Sequence, residues 1–206
     1  MKGCNVLTLY NGKDFGTITV VWGSMYSGKT EELIRRLKRA EFAGQKYQLF
    51  RPEKDNRYKK VETHYGQGLD AEVVKNSYEL LQKIDPQTKI VGIDEGQFFD
   101  QDLVFACKKI KEDHHIDIII SGLDMNCFGN PYKNMMELAA ISNECIKFKA
   151  VCVDCGKDAY ISHILIDDQS GEVVGSKDIY VALCEKHHII RTANKTKTKK
   201  VITKGE

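Results

Sequence analysis

A chain of 206 residues with a net charge of +2 is long enough to bury one substantial core, and its near neutrality does not advertise a polyanion partner. No stretch approaches the ~20 apolar residues of a membrane span and no early apolar run resembles a secretory leader, so no membrane association and a cytoplasmic location are expected. Seven cysteines, an odd number, are not expected to form a disulfide framework in a reducing compartment, and Cys107 inside "LVFACKKI" reads as a core residue.

The first element is "TITVVWG", a buried strand that runs into "GSMYSGKT". Beyond it Leu33, Leu37 and Ala40 recur at helical spacing, with Arg35, Arg36, Lys38 and Arg39 mostly outside and Gly44 as a stop. "KYQLFRP" predicts a second strand ended at Pro52, and "SYELLQKID" a short helix. "KIVGID" and "IDIIISGLD" are two more buried strands, separated by the amphipathic "DLVFACKKIKEDHH", and a helix across "MMELAAISN" follows. This alternation predicts an α/β fold of the P-loop NTPase type, a parallel sheet flanked by helices. From Ala150 the chain turns rich in β-formers, turn residues and metal ligands, which places a boundary near Lys149. The expected units are residues 1–149, a nucleotide-binding α/β domain; 150–190, a small zinc ribbon; and 191–206, a basic tail. With Lys195, Lys197, Lys199, Lys200 and Lys204, that tail reads as a solvated disordered end rather than a nucleic-acid arm.

Three motifs carry chemistry. Gly23, Gly28, Lys29 and Thr30 hold the spacing G-x-x-x-x-G-K-[ST] between a strand and a helix. Such a loop, Gly23 through Ser24, Met25, Tyr26 and Ser27 to Gly28, lets backbone N–H groups wrap phosphates. Lys29 then meets the β/γ oxygens of ATP and the Thr30 hydroxyl a Mg²⁺ ion. Asp94, at the end of an apolar strand, offers a carboxylate for that Mg²⁺. Glu95 follows at once, and alternation along a strand turns it to the opposite side, toward whatever attacks the γ-phosphate. The pair alone leaves water and a hydroxyl group open as attackers. Third, Cys152 and Cys155 (C-x-x-C) with Cys184 and His187 (C-x-x-H) match the two knuckles of a structural Zn²⁺ ribbon. His188 competes with His187 as fourth ligand, the spacing favouring His187, while His114, His115 and His163 read as surface or packing residues.

In order along the chain, "GSMYSGKTEELIRR", "RPEKDNRY", "IDEGQFF", "SGLD…NPY" and "AVCVDC…IYVALCEKH" resemble the zinc-containing type II thymidine kinase family, from about Thr17 to His188. The resemblance implies transfer of the γ-phosphate of ATP to the 5′-hydroxyl of thymidine, with Glu95 as general base. It places Asp55 and Arg57 near the phosphates. It makes Met25, Phe98, Leu123 and Tyr180 walls of a nucleoside pocket, and Val173, Val174 and Gly175 part of a lasso that closes over the base. It also implies a homotetramer and feedback inhibition by deoxythymidine triphosphate.

One departure stands out. The family's G-L-D-x-x-F places a stacking phenylalanine where "GLDMNCFGNPY" has Cys127, with Phe128 one residue later. Because Gly129 can absorb a shift of register, Phe128 is expected to swing into the stacking place. A nucleic-acid-stimulated ATPase is the rival reading, with ribbon and tail on DNA. The ribbon's Asp154, Asp167, Asp168 and Glu172 argue against it. A non-catalytic nucleotide sensor is disfavoured by the presence of both Lys29 and Glu95.

Overall fold

Short apolar runs make the strands of the computed structural model, which describes residues 15–55, 60–62, 68–166 and 179–202. The first, β1 (Ile18–Gly23), is buried throughout except for half-buried Trp22, and leads through the glycine loop into α1 (Lys29–Phe42). Helical spacing puts Leu33, Ile34, Leu37 and Ala40 of α1 inside. Glu31 and Glu32 in its first turn suit the positive end of the helix dipole. Gly44 follows the helix with its N–H on Glu41 O at 2.9 Å, as the sequence predicts.

Next come β2 (Tyr47–Pro52), β3 (Lys60–Glu62), β4 (Gly68–Asp70), β5 (Glu72–Val74), α2 (Ser77–Gln82), β6 (Ile90–Ile93), α3 (Leu103–Asp113), β7 (Asp117–Gly122), α4 (Lys133–Ile141) and β8 (Glu144–Phe148). Six strands form one sheet in the order β5-β2-β6-β7-β1-β8, and every neighbouring pair is parallel. The α/β expectation therefore holds. Strands β3, β4, β5 and β8 lie outside the apolar runs because they are short or half exposed, and β5 and β8 are the sheet's two edges.

Two core layers fix the sheet between helices. On one face Val21, Leu49 and Ile119 meet Leu33 and Leu37 of α1. On the other, Val20, Phe50, Val91, Ile93, Ile118 and Ile120 meet Leu103 and Ile110 of α3 and Met135 and Leu138 of α4. A parallel sheet so covered brings all its strand C-termini to one edge, where ligands of such folds bind. Gly23, Pro52, Asp94 and Gly122 lie there.

After β8 the chain forms β9 (Ala150–Val151), β10 (Asp158–Ala159), β11 (Ile161–Ile164), β12 (Tyr180–Leu183) and α5 (Glu185–Ile202). β9 and β10, and β11 and β12, pair antiparallel. The expected disordered tail is corrected here: from Arg191 to Ile202 the chain is helical, as the continuation of α5. Two anchors one turn apart on one helix face explain the change. Arg191 Nε donates to Asp154 Oδ2 at 3.0 Å, and Lys195 Nζ donates to Ile164 O at 2.6 Å and Ile166 O at 3.3 Å.

Two substitutions in α1 separate its faces. Leu37→Ala, at a fully buried position, is expected to cost about 2–5 kcal/mol. Phe42→Ala, where the ring is 92% exposed, is expected to stay within about 0.5 kcal/mol of the parent in denaturant unfolding.

Candidate active site

The glycine loop is shaped by a close approach. Gly23 has φ 147°, and a Cβ there would lie 2.2 Å from Phe148 O in the neighbouring strand β8. Only glycine fits. Tyr26, a non-glycine, takes φ 63° within the loop. At its end Lys29 is 9% exposed, and Nζ donates to Ser24 O at 2.8 Å. Burial pushes the Lys29 pKa down, while the negative charges of Glu95, Asp94, Asp124 and Glu31, in that order, push it back up.

The C-terminal ribbon braces this loop directly. Met25 N donates to Ser162 Oγ at 2.9 Å, Ser24 Oγ to Ala159 O at 3.4 Å, and the Tyr26 hydroxyl to Tyr180 O at 3.3 Å. Ser162, on β11, carries no motif in the sequence, and only the fold reveals its role.

Asp94 lies just past β6. Its Oδ1 accepts from the Ser121 hydroxyl in a short contact and from Thr30 Oγ1 at 3.5 Å. Burial, and then the neighbouring Glu95, push its carboxyl up to about 7. The alternation argument for Glu95 needs correction: the strand ends at Ile93, and Glu95 is turned by a left-handed backbone, φ 51° and ψ 43°, that opens a 3₁₀ turn over Gly96–Phe98. Such a conformation costs a non-glycine about 1–3 kcal/mol and persists only where its surroundings hold it. Here Gln97 Nε2 donates to Glu95 Oε2 at 2.5 Å while Gln97 Oε1 accepts from Leu123 N at 2.8 Å. Asn134 of α4 donates to Gly96 O at 2.9 Å and Phe99 O at 3.3 Å. A Cβ at Gly122 would meet Gln97 Oε1 at 2.8 Å, so that position must be bare. Ser121 and Asn134 carry no motif in the sequence, whereas Gln97 stands inside "IDEGQFF".

Beside the glycine loop, Tyr180 and Cys127 are buried together with Ile164, and Met25, Tyr26 and Ile179 pack against them. The expected register shift does not occur. Cys127 keeps the inward place at 3% exposure, while Phe128 is 49% exposed. The reason is Asn126, whose Oδ1 accepts from the N–H groups of Phe128 and Asn130, each at 3.0 Å. Asn126 N also donates to Asn130 O at 2.9 Å, so the turn is pinned on both sides with Phe128 at its tip. Phe98 is half-buried, with Lys54 Nζ 5.5 Å from its ring centroid, and Leu123 is half-buried beside Gln97. Asp55 is buried in the turn after β2, its N–H on Pro52 O at 3.0 Å. Arg57, Val173, Val174 and Gly175 lie outside the described residues.

Cys152, Cys155, Cys184 and His187 converge, with their ligand atoms all within 4.8 Å of one another. A tetrahedral zinc with Zn–S bonds of about 2.3 Å sets its sulfurs about 3.8 Å apart. Cys155 Sγ and Cys184 Sγ are 3.8 Å apart, and His187 Nδ1 lies 3.6 Å from Cys152 Sγ and 3.1 Å from Cys184 Sγ. The set fits a structural metal ion such as zinc. Burial works to raise the Cys152 thiol, but hydrogen bonds from the Cys184 and Asp154 backbone and from Cys155 outweigh it, and the thiol falls to about 6. That favours the thiolate a metal needs. His188 lies outside this set, its Nδ1 3.0 Å from His163 Nδ1. Cys107 is buried, and burial alone pushes its thiol up to about 12, as befits a core residue.

A family model described as thymidine kinase matches residues 16–188 of the chain, from the entry to β1 through the last ligand of the Cys/His cluster.

The two histidines give a direct test of the metal set. His187→Ala is expected to lose the metal in elemental analysis, whereas His188→Ala retains about one zinc per chain.

Proposed function

The chain belongs to the thymidine kinase family and is an ATP-dependent phosphotransferase acting on thymidine; we propose that Glu95 is the base of that reaction and the glycine loop its phosphate cradle. The observation that carries this reading is the placement of Glu95. It is a carboxylate held in a strained turn, hydrogen-bonded through Gln97 to the nucleoside-side loop at Leu123, and it is the largest of the charges acting on Lys29.

In this reading the N–H groups from Ser24 to Thr30 and the Lys29 ammonium bind the β- and γ-phosphates. Thr30 and Asp94, joined by their 3.5 Å contact, are the residues that would hold Mg²⁺. When bound, that ion neutralises charge on the phosphates. Glu95 accepts the proton of the thymidine 5′-hydroxyl as its oxygen attacks the γ-phosphorus. The bond from that phosphorus to the β–γ bridging oxygen breaks, ADP leaves, and thymidine monophosphate forms. Gln97 keeps Glu95 aimed, since its other end is fixed on the loop that carries Leu123.

Met25, Tyr180, Leu123 and Phe98 wall the base in this proposal, with Cys127 inside and Phe128 outside. Residues 150–190, tied by zinc, form the unit that bears the lasso and braces the phosphate loop. Arg57 near the phosphates, and Val173, Val174 and Gly175 over the base, complete the proposed site. The same reading includes a homotetramer, feedback by deoxythymidine triphosphate and a cytoplasmic location. Among the described residues no helix is long and apolar enough to cross a membrane. The DNA-stimulated alternative gains nothing from the ribbon, where Asp154 is spent on Arg191.

Incubation with Mg·ATP and a nucleoside panel is expected to give thymidine monophosphate and no DNA-dependent hydrolysis. Glu95→Gln should lose about 10²–10⁴-fold in turnover with nucleotide binding kept. Lys29→Ala should lose both affinity and rate; near-normal turnover in Glu95→Gln would remove it as the base. Phe128→Ala, at a solvent-facing tip, is expected to shift thymidine KM by no more than about twofold.

A further inference from the structure

Arg51 stands next to last in β2, at the sheet edge where the phosphate site lies. Side chains alternate along a strand, and Leu49 packs in the core layer of α1 while Phe50 packs in the opposite one. Arg51 therefore shares the α1 face with Leu49. Its partner across the ladder is fixed as well. Phe50 pairs with Ile93 of β6, and Asp94 N donates to Phe50 O at 3.0 Å, so Arg51 and Asp94 are neighbours at the ends of adjacent strands. Asp94 in turn faces Thr30, at the start of α1.

Arg51 is only 5% exposed, and its Nε is buried with no hydrogen-bond partner. Among the described residues no ion pair reaches the guanidinium. Asp94, the nearest carboxylate by register, is engaged by Ser121 and Thr30. A buried guanidinium without an anion is strongly unfavourable, and an apolar side chain of similar volume would be better tolerated in the free protein. Its planar fork of donors matches the oxygens of a phosphate group.

We propose that Arg51 is a phosphate-binding residue that receives oxygens of the triphosphate seated on the glycine loop. The cost of burying the cation in the free protein is offset when the nucleotide arrives. Arg51 then supplies, from the β2 side, a second positive charge complementing Lys29, which follows β1. This rests on the reading of the glycine loop as the phosphate site, so the test carries Lys29→Ala alongside.

The experiment measures binding of Mg·ATP and of inorganic triphosphate, together with thermal unfolding of the ligand-free protein, for the parent, Arg51→Met, Arg51→Lys and Lys29→Ala. Expected for Arg51→Met are an unfolding temperature in the free form at or above the parent's and a loss of about ten- to a hundredfold in affinity for both ligands. Arg51→Lys should recover part of that loss. Unchanged triphosphate affinity in Arg51→Met, with Lys29→Ala impaired, overturns the role of Arg51 alone. Unchanged affinity in both variants overturns the loop reading and this proposal with it. A free Arg51→Met protein that is destabilised while its triphosphate affinity stays at the parent's level marks Arg51 as structural, and also overturns the proposal.

Discussion

The site is organised around the buried Lys29. Lys29 is almost wholly desolvated, and burial lowers its pKa, while Glu95, Asp94 and Asp124 act on it from the surrounding loops and oppose that shift. Two of these partners are themselves buried: Asp94 is pushed up to about 7, and Asp124 is 3% exposed with Lys147 Nζ 2.9 Å away. Such a cluster is stable only where strand ends converge and hold the groups rigidly. The parallel sheet does this by bringing the ends of β1, β6 and β7 side by side in the order β6-β7-β1. Sheet topology and charge balance are thus one constraint.

The same constraint explains the glycines and the strained glutamate. Asp94 can reach Thr30 and Ser121 only at the very end of β6, so the chain must turn at once. Glu95 takes the left-handed conformation that makes the turn, and Gln97 and Asn134 hold it there. Gly122 stays bare because Gln97 Oε1 occupies the space a methyl group would need. Strain at one residue is thereby spread over hydrogen bonds from α4 and from the loop after β7.

How much of this could be read from the chain depends on range. The spacing of Gly23, Gly28, Lys29 and Thr30 and the two knuckles Cys152-Cys155 and Cys184-His187 are local patterns, and the structure brings the cysteines and His187 together as their spacing implies. The buried strands were legible because they are unbroken apolar runs. Edge strand β8 was not, since its alternate residues meet water. Ser162, Gln97 and Asn134 act across 137, 26 and 38 residues of sequence, and no local periodicity records that. The basic stretch after Arg191 misled for the opposite reason. Its composition is that of a solvated tail, but Asp154 and the carbonyl of Ile164 lie within reach of Arg191 and Lys195.

Phe128 shows how a short polar side chain can decide the fate of a large apolar one. Burying a phenylalanine gains roughly 1.5–3 kcal/mol, and Gly129, with φ 82°, supplies the freedom a shift would use. Against that stand the two N–H groups held by Asn126 Oδ1, the further bond from Asn126 N to Asn130 O, and the bridge between Met125 and Pro131. Moving the ring inward would break several of these at about 0.5–1.5 kcal/mol each, and would also displace Cys127 from its packing with Ile164 and Tyr180. The local turn therefore outweighs the burial. In the proposed pocket the consequence is a smaller side chain where the sequence resemblance implies a stacking ring. The base must then draw its apolar contact from Tyr180 and Met25, residues that are themselves positioned by the ribbon's bonds to the phosphate loop. In that proposal base recognition and phosphate binding share one set of supports, Ser162 and Tyr180, rather than two.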